Sequence, residues 1–145
     1  MGFILDTNLY IAADREPARA DDLAAFYWRY LPQTYLHAIV VQEILAGATY
    51  PERVRRTKAL IEPFEKRKRL VVPTYQTWKR AGEIIRRLTM RGLISPGHFA
   101  RSFVHDVMLA ASCRQFGHTL VTANVRDFAL IRKVERFDFV EPFPQ

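Results

Sequence analysis

The sequence predicts an α/β domain built around a mostly parallel central sheet. Short apolar runs recur along it: Phe3-Ile4-Leu5, Thr34-Tyr35-Leu36, Leu70-Val71-Val72 and Leu120-Val121. Each is too short for a helix and long enough for a buried strand. Between these runs lie longer segments whose apolar residues repeat at helical spacing, and such alternation is the pattern of parallel α/β architectures. The chain has 145 residues, 49% hydrophobic and 26% charged, which suits one domain over 1–145 with a sizeable core.

The elements follow in order. Phe3-Ile4-Leu5 reads as a buried strand ending at Asp6, after which Thr7 or Asn8 caps a helical turn through Tyr10 and Ile11. Pro17 suits the first turn of a second helix with Leu23, Phe26, Tyr27, Tyr30 and Leu31 on its apolar side, stopped by Pro32. A short strand at Thr34-Tyr35-Leu36 leads into a helix over about Ile39 to Ala48. Pro51 starts another, with Val54, Leu60, Ile61 and Phe64 inside and Arg53, Arg55, Arg56 and Lys58 outside. The strand Leu70-Val71-Val72 closes at Pro73. Trp78, Ala81, Ile84, Ile85 and Leu88 then mark the inner side of a helix from Thr74 to Arg91, ended by Gly92. Ser95-Pro96 has the form of a helix start, and a break near Gly97 leaves a main helix over about Arg101 to Phe116, terminated by Gly117. A strand at Leu120-Val121, a short helix from Asp127 to Val134 and an edge strand at Phe139-Val140 complete the chain.

No apolar run approaches the roughly 20 residues that span a bilayer, and the opening MGFILDTN lacks the features of a signal peptide. The lone Cys113 builds neither an internal disulfide nor a cysteine zinc site, so a reducing, cytoplasmic location is the expectation. The net charge of +7 is unevenly placed: from Arg53 to Arg91 there are 13 Lys and Arg against three acids, leaving nine basic and 12 acidic residues elsewhere. That basic span suits a polyanion, with Arg53, Arg55, Arg56, Lys66 and Lys68 as candidate RNA contacts.

Most acids have polar or basic neighbours at helical spacing, but three do not. Asp6 ends a buried strand and so points at the carboxyl edge of the sheet, where ligands bind in open α/β folds. Glu43 has Ile39, Val40, Ala46 and Gly47 at i−4, i−3, i+3 and i+4; Asp106 has Ser102, Phe103, Leu109 and Ala110. An ionised carboxylate on an apolar face is costly without compensation, and three together repel one another. A divalent cation removes both problems, and hard oxygen donors select Mg²⁺ or Mn²⁺; a separate arginine for each acid is the competing arrangement. Thr122 and Asn124 follow the strand Leu120-Val121 and can hydrogen-bond a ligand. Asp127 either adds a carboxylate or caps the helix it begins.

In this order, Phe3-Ile4-Leu5-Asp6-Thr7-Asn8, the helical Val41-Gln42-Glu43-Ile44-Leu45-Ala46-Gly47, the helical Asp106 and Leu120-Val121-Thr122-Ala123-Asn124-Val125-Arg126-Asp127-Phe128 resemble PIN domains, and are similar to the VapC-type toxins of toxin–antitoxin pairs. The resemblance implies a three-layer α/β/α fold, Mg²⁺ or Mn²⁺ dependence, endonucleolytic RNA cleavage, a homodimer and a cognate antitoxin. It carries the core acids onto Asp6, Glu43 and Asp106, with Thr7, Asn8, Thr122 and Asn124 in support. Asn124 stands where some members carry Asp, and Asp127 follows three residues later, so either can fill the fourth position. An RNA-maturation nuclease of the same family, and a non-catalytic RNA- or protein-binding module, are the alternatives. A phosphoryl-transfer domain with Asp6 as nucleophile lacks a neighbouring second Asp. His105 and His118 are read as bland, since on a helix His105 points about 100° away from Asp106. The aromatics from Phe26 to Tyr35, Trp28 included, are assigned to packing or dimerisation.

Overall fold

A computed structural model, describing residues 1–143, places five parallel strands in the order β3-β2-β1-β4-β5. The strands are β1 (Phe3–Leu5), β2 (Thr34–His37), β3 (Leu70–Val71), β4 (Thr119–Val121) and β5 (Asp138–Val140). The helices are α1 (Thr7–Arg15), α2 (Pro17–Tyr30), α3 (Ala38–Ala46), α4 (Pro51–Lys66), α5 (Tyr75–Met90), α6 (Arg101–Phe116) and α7 (Val125–Arg132). From the central β1 the chain builds outward through α1–α4 to β2 and β3, then returns through α5 and α6 to β4 on the other side of β1. Right-handed crossovers put these two helix groups on opposite faces. In accord with this, α1 packs on α2 and α3, while α5 packs on α6 and α6 on α7. The expected three-layer α/β/α architecture is the one observed.

The core lies on both sides of Ile4, Leu36 and Leu120, which are fully buried. Helix α6 is enclosed nearly all round from Asp106 to Cys113, so it carries no polar stripe and delivers Asp106 from inside the protein. Glu135 is also buried, and Arg80 donates to both of its oxygens at 2.5 and 2.6 Å. Removing the guanidinium strands a buried carboxylate. Arg80→Ala is therefore expected to lower unfolding free energy by about 2 kcal/mol, less than for a fully buried pair because Arg80 is half-exposed; urea denaturation measures it. Among the described residues, no helix is long and apolar enough to cross a membrane.

Several local expectations are corrected. The cap of α1 is Asp6, whose side chain accepts from the Thr7 amide, and neither Thr7 nor Asn8 serves. Ser95-Pro96 starts no helix: the His98 amide donates to the Ser95 carbonyl and Gly97 has φ of +66°. Pro followed by a positive-φ Gly makes this a tight turn of type II character. Helix α7 begins at Val125 with Asn124 as its cap, which removes Asp127 from that role. Trp78 is 58% exposed and off the core face of α5, and Trp28, 93% exposed, is not packed in the core, which leaves dimerisation of its two expected roles. Phe26, Tyr27, Tyr30 and Tyr35, by contrast, do pack into or against the core. Gly117 ends α6 in the left-handed conformation that its lack of a Cβ permits.

Candidate active site

The connections diverge between β1 and β4, and there the carboxyl ends of two adjacent strands leave a crevice. The register pairs Leu5 with Val121, and the Asp6 amide donates to the Val121 carbonyl at 2.9 Å. Asp6 and Thr122, the residues that follow, are thereby side by side. Asp6 Oδ1 accepts from the Thr7 amide at 2.8 Å. Its Oδ2 accepts from Thr122 Oγ1 at 2.7 Å and from Asn8 Nδ2 at 3.4 Å. Thr122 Oγ1 in turn accepts from the Asn124 amide.

Three further carboxylates join from three helices. Glu43, in the second turn of α3, accepts at Oε1 from Thr7 Oγ1, 2.7 Å away. Its Oε2 stands 3.6 Å from His105 Nδ1 on α6. Asp106 comes from the next position of α6 and is 9% exposed. Asn124 caps α7 through Oδ1 and spreads its Nδ2 between Asp106 Oδ2 at 3.3 Å and Asp127 Oδ2 at 3.1 Å. Asn124 is thus the cap of α7 and binds both acids through its amide, and Asp127, in the first turn of α7, lies beside Asp106.

The electrostatics mark the four acids as one group. Burial pushes the Asp106 carboxyl up to about 8, with the negative charges of Asp6, Asp127 and Glu43 adding to it. Burial also raises Asp6, against the hydrogen bonds from Thr122 and Thr7 that lower it. Among the described residues, no Lys or Arg forms an ion pair with Asp6, Glu43, Asp106 or Asp127. A separate arginine for each acid is thus not the arrangement found. Nor do three His, Cys, Asp or Glu side chains among the described residues already form a coordination group. The oxygens of Asp6 and Glu43 are instead turned toward the hydroxyls of Thr122 and Thr7. The donor set, all hard oxygen and uncompensated, fits a divalent ion such as Mg²⁺ or Mn²⁺.

The basic residues divide into two groups. Asp14, on α1, pairs with Arg53 Nε at 3.0 Å and Arg56 Nε at 2.8 Å, and both arginines line a cleft of about 270 Å³ that also touches Glu43. Arg55 lies exposed on the same turn of α4. Lys66 is bonded to Glu62 and, with Lys68, stands at the other end of α4, about 20 Å along the helix axis from Arg53. His118 precedes β4 at the amino edge, stacked on Tyr35. His105, on α6, brings Nδ1 to 3.6 Å from Glu43 Oε2 on α3, a meeting across the chain that no local pattern announces.

A family model for the PIN domain matches residues 3–134. The chain belongs to the PIN-domain family. This PIN domain is similar to Ribonuclease VapC1 of Rickettsia felis, 27% identical over 139 residues that cover 93% of this chain and 94% of the relative. Among solved structures it resembles the DNA-bound VapBC of Salmonella typhimurium, with a TM-score of 0.72, 21% identity and 97% and 98% of the two chains covered. VapBC-1 of nontypeable Haemophilus influenzae is similarly alike, with a TM-score of 0.70, 22% identity and the same coverage.

Proposed function

We propose that this PIN domain is a metal-dependent endoribonuclease acting as the toxin of a toxin–antitoxin pair. One observation carries the reading: four carboxylates from four elements converge at the carboxyl edge, and among the described residues no Lys or Arg pairs with them. The ribonuclease relative and the VapBC likenesses support RNA as substrate and a cognate antitoxin as partner. A homodimer is part of the proposal.

Asp6 and Asp106 are the principal ligands for Mg²⁺ or Mn²⁺, with Glu43 and Asp127 completing the acidic set. When bound, such an ion makes water a nucleophile at neutral pH and stabilises charge on the leaving oxygen of a phosphodiester. Thr7 orients Glu43, Thr122 and Asn8 orient Asp6, and Asn124 keeps Asp106 and Asp127 apart at a fixed spacing. Arg55, exposed on α4, holds the RNA backbone, a contact that positions without reading sequence, while Arg53 and Arg56 share a cleft with Glu43. Lys66 and Lys68, at the far end of α4, serve a longer strand.

The test is cleavage of a mixed RNA pool by the purified protein with and without chelator. Cleavage is expected to disappear in chelator and return with Mg²⁺ or Mn²⁺. Undiminished cleavage in chelator rejects the metal mechanism.

A further inference from the structure

Beside the acids, α1, α3 and α4 enclose a cleft whose construction differs from theirs. Tyr10, Ile11, Ile44 and Leu60 give it apolar walls, and Asp14, Glu43, Arg53 and Arg56 supply its charged groups. Its volume of about 270 Å³ falls just below the range of pockets for drug-sized molecules, so it takes one small ring system. Asp14 fixes both guanidiniums, and Arg53 also donates to the Gly47 carbonyl at the end of α3, 3.3 Å away. The guanidiniums are thus held in place before anything binds.

We infer that this cleft receives one unpaired nucleobase of single-stranded RNA, from the nucleotide next to the cleaved phosphate, and so sets a base preference at that position. The inference rests on the ribonuclease reading. A base has apolar faces and a polar edge, matching apolar walls and charged groups, and single-stranded RNA is read by splaying such bases into protein. Charge complementarity favours RNA over a peptide: Arg15, Arg53 and Arg56 outnumber Asp14 and Glu43 in the lining, and the exposed Arg55 of the same helix extends a basic path for the flanking phosphates. Glu43 belongs to both the cleft and the acidic group, so the occupant neighbours the reacting phosphate.

The experiment is digestion of a randomised pool of single-stranded RNA oligonucleotides, with the new ends sequenced. Wild-type protein is expected to favour one base by about tenfold at one position beside the cut, the scale of a single stacked and hydrogen-bonded base. Thr57→Trp, which fills the cleft from α4, should flatten that preference to about twofold or less while cuts are still made. Ala13→Phe fills it from α1 and serves if the first variant melts early. An unchanged preference in a filled variant that melts like wild type overturns the inference and leaves a peptide as the occupant to seek. Absence of base preference in wild type overturns it equally. Failure of wild type to cut any RNA removes the nuclease reading itself.

Discussion

Asp6→Asn is expected to lower the rate of RNA cleavage by about a thousandfold, equivalent to about 4 kcal/mol of transition-state stabilisation. The fold should survive it. Asn caps helices as well as Asp does, so the bond from the Thr7 amide that starts α1 can be kept. Growth arrest on expression should vanish with the cleavage. Asp106→Asn is expected to lose activity comparably and to gain stability. The Asp106 carboxyl is pushed up to about 8 by burial and by its three acidic neighbours, so in the folded protein its charged form is disfavoured at neutral pH. In chelator at pH 7.5 the neutral isostere should be more stable than wild type by up to about 5 kcal/mol, the linkage for a carboxyl raised from 3.8 to about 8. Mg²⁺ or Mn²⁺ should then raise the melting temperature of wild type and not that of either variant. Wild-type cleavage by Asp6→Asn would remove it from the site, and a less stable Asp106→Asn in chelator would show that the acids do not strain the fold.

The second large effect concerns His37, which the active-site chemistry never touches. It ends β2, is fully buried, and accepts the Ile39 amide at Nδ1 over 3.0 Å, capping the helix that carries Glu43. Because Nδ1 accepts, Nε2 bears the proton and donates to Ser112 Oγ at 2.8 Å, and that hydroxyl donates to the Met108 carbonyl. Protonating Nδ1 breaks the cap, and burial lowers the imidazole from 6.5 to about 4. Between those values the unfolded chain takes up a proton that the folded protein refuses. The stability this neutral histidine supports is therefore complete above pH 6.5 and is lost as the pH falls toward 4, a decline of about 3 kcal/mol. His37→Asn keeps a capping oxygen and removes the titration. Its unfolding free energy should fall by about 3 kcal/mol less than that of wild type between pH 7 and pH 4. Parallel pH profiles for the two proteins would place the acid sensitivity elsewhere.

The site was legible where chemistry and local pattern coincide. Asp6 ends an apolar run, and Glu43 and Asp106 sit among apolar neighbours without a cation, and each of these is a local contradiction that function resolves. What escaped the sequence is whatever depends on which elements meet. Thr7 finds Glu43 across 36 residues and Thr122 finds Asp6 across 116, and nothing in either segment announces its partner. The pairing of Asp14 with Arg53 and Arg56, which builds the cleft, is equally non-local. His37 had a legible position, between a strand and a helix, where a capping side chain is needed. Its ring nitrogen takes a role more often filled by Ser, Thr, Asp or Asn. Trp78 shares the helical spacing of Ala81 and Ile85 yet faces outward, since periodicity ranks the faces of a helix and cannot say how far the core extends over them. Ser95-Pro96 failed for a different reason: the same dipeptide opens helices and turns, and the Gly that follows decides for the turn.

In the proposed function Asp6, Glu43, Asp106 and Asp127 stand together because they hold a divalent ion. Anomalous diffraction from crystals grown with Mn²⁺ tests it most directly. A manganese peak is expected within coordination distance of Asp6 and Asp106. Protein that cleaves RNA in Mn²⁺ yet shows no peak among these four carboxylates would contradict it.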